Sequence, residues 1–130
     1  MREREVFVLL DEMLEACRNA TSFIRGMCEE EFLSDIRTQQ AVAMSLVIIG
    51  EAAVRLGRDH PVFLAKHADL PWRDVIAMRN RITHGYVTLD FRVIWRTVLS
   101  DIPQLLNRLE IIYREAGEEP GGASLEPPQD

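Results

Sequence analysis

Between positions 41 and 49 the chain reads AVAMSLVII, nine residues of which only Ser45 is polar. The stretch lies within residues 35–56, which read as one helix with Gly57 as its stop. Such a helix is apolar almost all round and must be covered on several sides. A chain of 130 residues has few other helices to do this. The expectation is a central helix enclosed by its own chain and by a second copy of it. Nine residues fall far short of the roughly 18 that a membrane span needs, so no membrane association is expected.

The remaining periodicity is also helical, and strand signals are nearly absent. Val6, Leu9, Leu10, Met13, Leu14, Cys17 and Ile24 recur at three- and four-residue spacing. They predict an amphipathic helix over residues 4–25 that ends at Gly26. Glu29, Glu30 and Glu31 precede Phe32 and Leu33 as a short helical turn, with acids suited to a helix N-terminus. Pro61 opens a short helix over 61–66, and Pro71 opens another that runs to about Thr83, where His84 and Gly85 end it. The last helix spans about 90–116, capped by Thr88 or Asp90. Its core residues are Ile94, Trp95, Val98, Leu99, Ile102, Leu105, Leu106, Leu109 and Ile112, and Pro103 predicts a kink near 99–102. The sum is an all-α, antiparallel four-helix-type bundle with short extra helices over residues 1–116. Residues 117–130, EEPGGASLEPPQD after Gly117, read as a disordered acidic tail.

Charge is unevenly placed. The net charge is −6, and Glu118, Glu119, Glu126 and Asp130 in the tail supply four of those charges. Residues 72–96 run the other way: Arg73, Arg79, Arg81, Arg92 and Arg96 face only Asp74 and Asp90, a local +3. Arginine outnumbers lysine fourteen to one. Arginine grips phosphate with a planar fork, although a codon bias toward arginine explains the same ratio. The opening MREREVFVLL has mixed charge and lacks the apolar core of a secretory leader, so a cytoplasmic location is expected. Cys17 and Cys28 are then free thiols, and two cysteines are too few for a metal site.

Candidate chemistry gathers in Met78-Arg79-Asn80-Arg81-Ile82-Thr83-His84-Gly85-Tyr86. His60 and His67 read as solvated connector residues, but His84 sits among arginines, an amide, a hydroxyl and a phenol. A cation capping the last helix carbonyls is one reading of it. Phosphodiester chemistry without a metal is the other, since a neutral imidazole can move a proton and an arginine can hold phosphate charge. Geometry sets a condition. Five residues turn an ideal helix by about 140°, so Arg79 and His84 share a ligand only if the helix ends between them or a symmetric copy supplies one.

These residues also carry a resemblance. Arg79, four residues, His84, Gly85 and Tyr86 match the Arg-x4-His-x-Tyr signature of the HEPN superfamily without departure. Over residues 8–112 the blocks Phe32-Leu33, Gln40-Ala41-Val42, Ile48-Ile49-Gly50-Glu51-Ala52, Leu70-Pro71-Trp72-Arg73, Met78-Arg79-Asn80, Trp95 and Asp101-Ile102-Pro103-Gln104-Leu105 follow in order. The chain resembles the HepT-like branch of that superfamily. The resemblance implies a HEPN bundle in a two-fold homodimer and a metal-independent endoribonuclease toxin that needs no cofactor. It places Arg79 and His84 of both protomers in one cleft. It also implies an MNT-type nucleotidyltransferase antitoxin that transfers AMP to the motif tyrosine, here Tyr86.

Read this way, His84 is the general base or acid and Arg79 holds the phosphate. Asn80 orients His84 or the scissile phosphate, or is a surface amide. Glu51 positions Arg79, or is a bundle ion pair. Arg73 and Arg81 steer RNA, or serve solubility. RNA is the expected substrate, with transfer RNA a family candidate. The reading from another class is a HEPN module that binds nucleotide, RNA or a partner without cutting.

Overall fold

A computed structural model describes residues 2–118 and 121 of the chain. It is all-helical, with no strand among the described residues. Helix α1, Arg2–Phe23, leaves through a turn in which Gly26 takes a φ of +80°, the left-handed region that glycine enters without strain. Helix α2, Glu29–Leu33, is short but well anchored. The Cys28 N–H donates to Glu31 Oε1 at 2.9 Å, and the Gln39 side chain donates to the Phe32 carbonyl at 3.0 Å. Phe32 is fully buried, with its ring centroid 5.3 Å from Trp95 and 6.1 Å from Phe91. Truncating such a residue to alanine costs about 3–5 kcal/mol.

Helix α3, Ile36–Asp59, starts on Asp35, whose carboxylate accepts from the Thr38 N–H at 3.1 Å and from its hydroxyl at 2.8 Å. Those donors hold the Asp35 carboxyl below its ordinary range. The helix does not stop at Gly57. It continues to Asp59 and ends at His60, because Pro61 disfavours helical geometry in the residue before it. By length and composition alone α3 is apolar enough to cross a bilayer, yet half of its most apolar stretch is buried inside this protein. It packs between α1 and α5 as the core helix.

Helix α4, Pro61–Lys66, has the bounds expected from its proline. His60 is not solvated: it is buried, with Nε2 3.5 Å from Glu5 Oε2. His67 is half-buried against Phe63, and its carbonyl accepts the Trp72 indole N–H at 2.8 Å. Helix α5, Trp72–Gly85, runs two residues beyond Thr83, and a 3-10 turn, Tyr86–Thr88, follows it directly.

The final helix is broken. Helix α6, Phe91–Arg96, is capped by Asp90, which accepts from the Arg92 N–H at 2.9 Å. A π turn, Thr97–Asp101, joins it to α7, Ile102–Ala116. Pro103 has no N–H, and its ring would strike the carbonyl four residues back. The chain widens there, and the Ile102 N–H reaches the Thr97 carbonyl. The extra residue in this turn shifts the register, which leaves Leu99 exposed rather than in the core. The core residues Ile94, Trp95, Val98, Ile102, Leu105, Leu109 and Ile112 are buried as read, and Leu106 partly so.

Helix α7 packs against α1. The buried Tyr113 hydroxyl donates to the Phe7 carbonyl at 3.2 Å and to the Asp11 carboxylate. Burial, then Asp11, pushes the phenol far above its ordinary range. The Gly121 N–H also donates to Asp11, at 2.8 Å. The acidic tail expected over 117–130 lies mostly outside the described residues.

Candidate active site

The site begins at the α3–α5 contact. Gly50 on α3 lies directly under Val75 and Arg79 of α5. The next α3 residue, Glu51, receives the guanidinium: Arg79 Nε donates to Glu51 Oε1 at 2.5 Å, and Nη2 lies 2.5 Å from the same oxygen. On the other edge, Arg79 Nη1 donates to Asn80 Oδ1 at 2.6 Å. An arginine has five N–H groups, so at least two remain for a further acceptor. The side chain of Arg79 is 26% exposed and that of Glu51 46%, which leaves the pair open to an approaching anion.

His84 lies on the outer side of α5. It is exposed and has no hydrogen-bond or ion-pair partner among the described residues. The reading in which it caps the helix carbonyls therefore finds no support in the geometry. Arg73, Ala77, Asn80, Arg81 and His84 are all exposed and spaced to share that outer face. The face is basic, and Arg73 and Arg81 have no acidic partner among the described residues.

The structure joins Arg79 to Glu51 and Asn80 by hydrogen bonds, while His84 lies one turn beyond Asn80 on the exposed face and bonds none of them. Asn80 Oδ1 accepts from Arg79 and makes no hydrogen bond to His84. The α5 helix is unbroken from Trp72 to Gly85. The first escape from the 140° separation, a helix ending between Arg79 and His84, is therefore closed.

Tyr86 starts the 3-10 turn just past the helix. It is partly buried, its ring set edge-on to Phe91 with centroids 5.8 Å apart. On α3, the face that carries Glu51 also carries Met44 and Ile48, 59% and 39% exposed. An apolar strip thus borders the polar site. A cleft of about 350 Å³ lies between α3, α5 and α7, lined by Ile49, Val75, Met78 and Leu105 among others. None of Arg79, Asn80 or His84 lines it. No group of three or more His, Cys, Asp or Glu suited to a metal ion occurs among the described residues.

Sequence reasoning missed two features of the site. Gly50 entered the sequence reading only within the block Ile48-Ile49-Gly50-Glu51-Ala52, with no role of its own, and the arginine–amide contact joins adjacent residues that no spacing rule singles out.

Comparison with known proteins bears on the whole domain. Residues 13–112 match the family model described as "Ribonuclease HepT-like". A protein of Thermococcus cleftensis named "Probable ribonuclease HepT" is 41% identical over 101 residues, covering 78% of this chain and 89% of its own length. One of Caldanaerobacter subterraneus, named "Putative RNase", is 34% identical over 107 residues, covering 82% and 93%. A Methanocaldococcus jannaschii protein of the same style of name is 31% identical over 115 residues, covering 88% and 93%. No solved structure matches the chain.

Proposed function

Because this chain belongs to the HepT-like ribonuclease family, whose relatives' names point to ribonuclease activity, we propose that it is a metal-independent endoribonuclease acting as a two-fold homodimer. The observation that carries this reading is the continuity of α5 through both motif residues. With Arg79 turned toward Glu51 and His84 turned outward, one chain offers half a site to a phosphate. A two-fold axis beside α5 gives one shared cleft an arginine and a histidine from each copy. The exposed Met44 and Ile48 provide apolar area for that contact.

In the proposed reaction the ribose 2′-hydroxyl attacks the adjacent phosphorus. One His84 takes the hydroxyl proton, and its counterpart gives a proton to the departing 5′-oxygen. The products are a 2′,3′-cyclic phosphate and a 5′-hydroxyl. The unengaged N–H groups of Arg79 bind the non-bridging oxygens as their charge grows, a contribution of about 3–4 kcal/mol when prepositioned. Arg73 and Arg81 attract the strand. In this reading the protein is the toxin of a toxin–antitoxin pair. An MNT-type nucleotidyltransferase silences it by placing AMP on Tyr86, where the added phosphate competes with RNA for Arg79.

Purified protein incubated with total RNA in excess chelator, with cut ends mapped, tests the activity. His84→Ala and Arg79→Ala should each lower cleavage by about 10²–10⁴-fold while the helical circular dichroism stays unchanged. Cutting that requires magnesium would refute the mechanism. RNA bound but left whole would favour the binding module instead.

A further inference from the structure

Gly50 occupies the middle of a long buried helix, where glycine weakens the helix relative to alanine. Its backbone does not need glycine, since the only positive φ values among the described residues belong to Gly26, Gly117 and Gly121. The reason for glycine here is space. A Cβ at position 50 would stand 2.2 Å from Arg79 Cβ, 2.8 Å from Arg79 Cγ and 2.9 Å from the Val75 carbonyl oxygen. The other helical glycines are not so confined. A Cβ at Gly57 would meet Leu64 at 3.5 Å, and one at Gly85 would meet Thr88 at 3.4 Å.

We infer that Gly50 is a positioning residue for Arg79: its missing side chain is a notch that seats the arginine stem so that the guanidinium lands on Glu51. The two parts of this seat are adjacent in sequence. Gly50 sets how closely α5 lies on α3, and Glu51, the next residue round the helix, takes the charged end. Arg79 is held at its root by the notch and at its tip by Glu51 and Asn80. The two atoms that crowd position 50 most are Arg79's own, so a methyl group there acts first on the residue that would bind phosphate.

The size of the effect follows from the contact. Carbon atoms settle about 3.5–4.0 Å apart, and a Cβ moves only with its backbone, so a methyl at position 50 must push α5 back at Arg79 by about 1.5 Å. Misplacing a catalytic group by about 1 Å can cost on the order of 10² in rate. This inference rests on the proposed ribonuclease reading for its kinetic readout, and a second readout is independent of it.

Gly50→Ala should lower kcat on RNA about 10²-fold with KM changed less than about threefold. Gly57→Ala should cut at the wild-type rate. Gly50→Ala combined with Glu51→Gln should be no worse than Gly50→Ala alone, because both act through one arginine. Additive losses, or wild-type cutting by Gly50→Ala, would overturn the inference. If the wild-type protein cuts no RNA, the functional reading fails separately and the seat is read by nitrogen-15 NMR of the arginine Nε–H groups. The Arg79 Nε–H should exchange slowly in the wild type and quickly in Gly50→Ala; slow exchange in both would overturn the inference. If Gly50→Ala does not fold, Gly50→Ala with Arg79→Gly should fold, since both side-chain atoms in the way are then gone. Failure of that double variant would assign the constraint to the Val75 carbonyl and refute the role in seating Arg79.

Discussion

Replacing Glu51 by Gln separates the positioning of Arg79 from simple bundle stability. The glutamine keeps an oxygen acceptor of the same reach and loses the charge. The two side chains are 46% and 26% exposed, so water screens the pair. The loss of fold stability should stay within about 1 kcal/mol. The electrostatic consequence for RNA is larger. At 2.5 Å the Glu51 carboxylate largely cancels the guanidinium charge, and removing it restores nearly one positive charge per protomer. Each added phosphate contact on a single strand steepens the slope of log affinity against log salt by about 0.7. Glu51→Gln should therefore bind RNA more tightly at low salt, with a slope steeper by up to about 0.7 per site. Catalysis should move the other way, because the arginine loses its anchor. A drop in kcat of about 10–10²-fold is expected from the lost orientation. Fluorescence anisotropy of a labelled RNA across a salt series, with single-turnover cleavage at saturation, measures both. An unchanged salt slope together with an unchanged kcat would refute the claim that Glu51 holds Arg79 for phosphate.

Other outcomes follow from the same geometry. Met44→Glu and Ile48→Glu should shift the protein from dimer to monomer in sedimentation at micromolar concentration and abolish RNA cleavage, since both side chains are exposed beside Glu51. Co-expression with a cognate nucleotidyltransferase should add adenylyl units of about 329 Da each at Tyr86, and Tyr86→Phe should escape them. Tyr113 should never carry the label in mass spectrometry, because its hydroxyl is buried and donates to Asp11 and Phe7. Alkaline pH should destabilise the fold. Burial pushes the Cys17 thiol up from 9.0 to about 12 and lifts the Tyr113 phenol above its ordinary 10.0. Both groups are held neutral in the folded chain, so their contribution is intact below pH 9 and is lost as the unfolded chain ionises above it. Urea midpoints should fall from pH 9 upward, and Cys17→Val should blunt the first part of that fall.

Much of the molecule was legible before its structure. Three- and four-residue periodicity located the helices, and Pro61 marked the start of α4. Asp90 was readable as a cap, and Pro103 as the source of an irregularity. The candidate chemistry was legible too, because Arg79, His84 and Tyr86 lie within eight residues of each other. The errors have specific causes. Gly57 looked like a stop, yet the helix runs through it to Asp59 and the stop comes from Pro61. His60 looked solvated from its connector position, but the meeting of α1 with the end of α3 covers it. Leu99 fits the helical period, and the π turn takes it out of register.

By itself, then, the sequence determined the helical class, the central place of α3 and the residue types gathered in the candidate site. Those properties are local: they depend on side-chain chemistry and on periods of three or four residues. Tertiary structure alone decided that Arg79 rests in the notch at Gly50 and that its guanidinium reaches Glu51. That arrangement depends on how closely two helices that are not consecutive in the chain, α3 and α5, approach each other. No pattern along one chain reports an interhelical distance, because it is set by the volumes of side chains that meet only after folding.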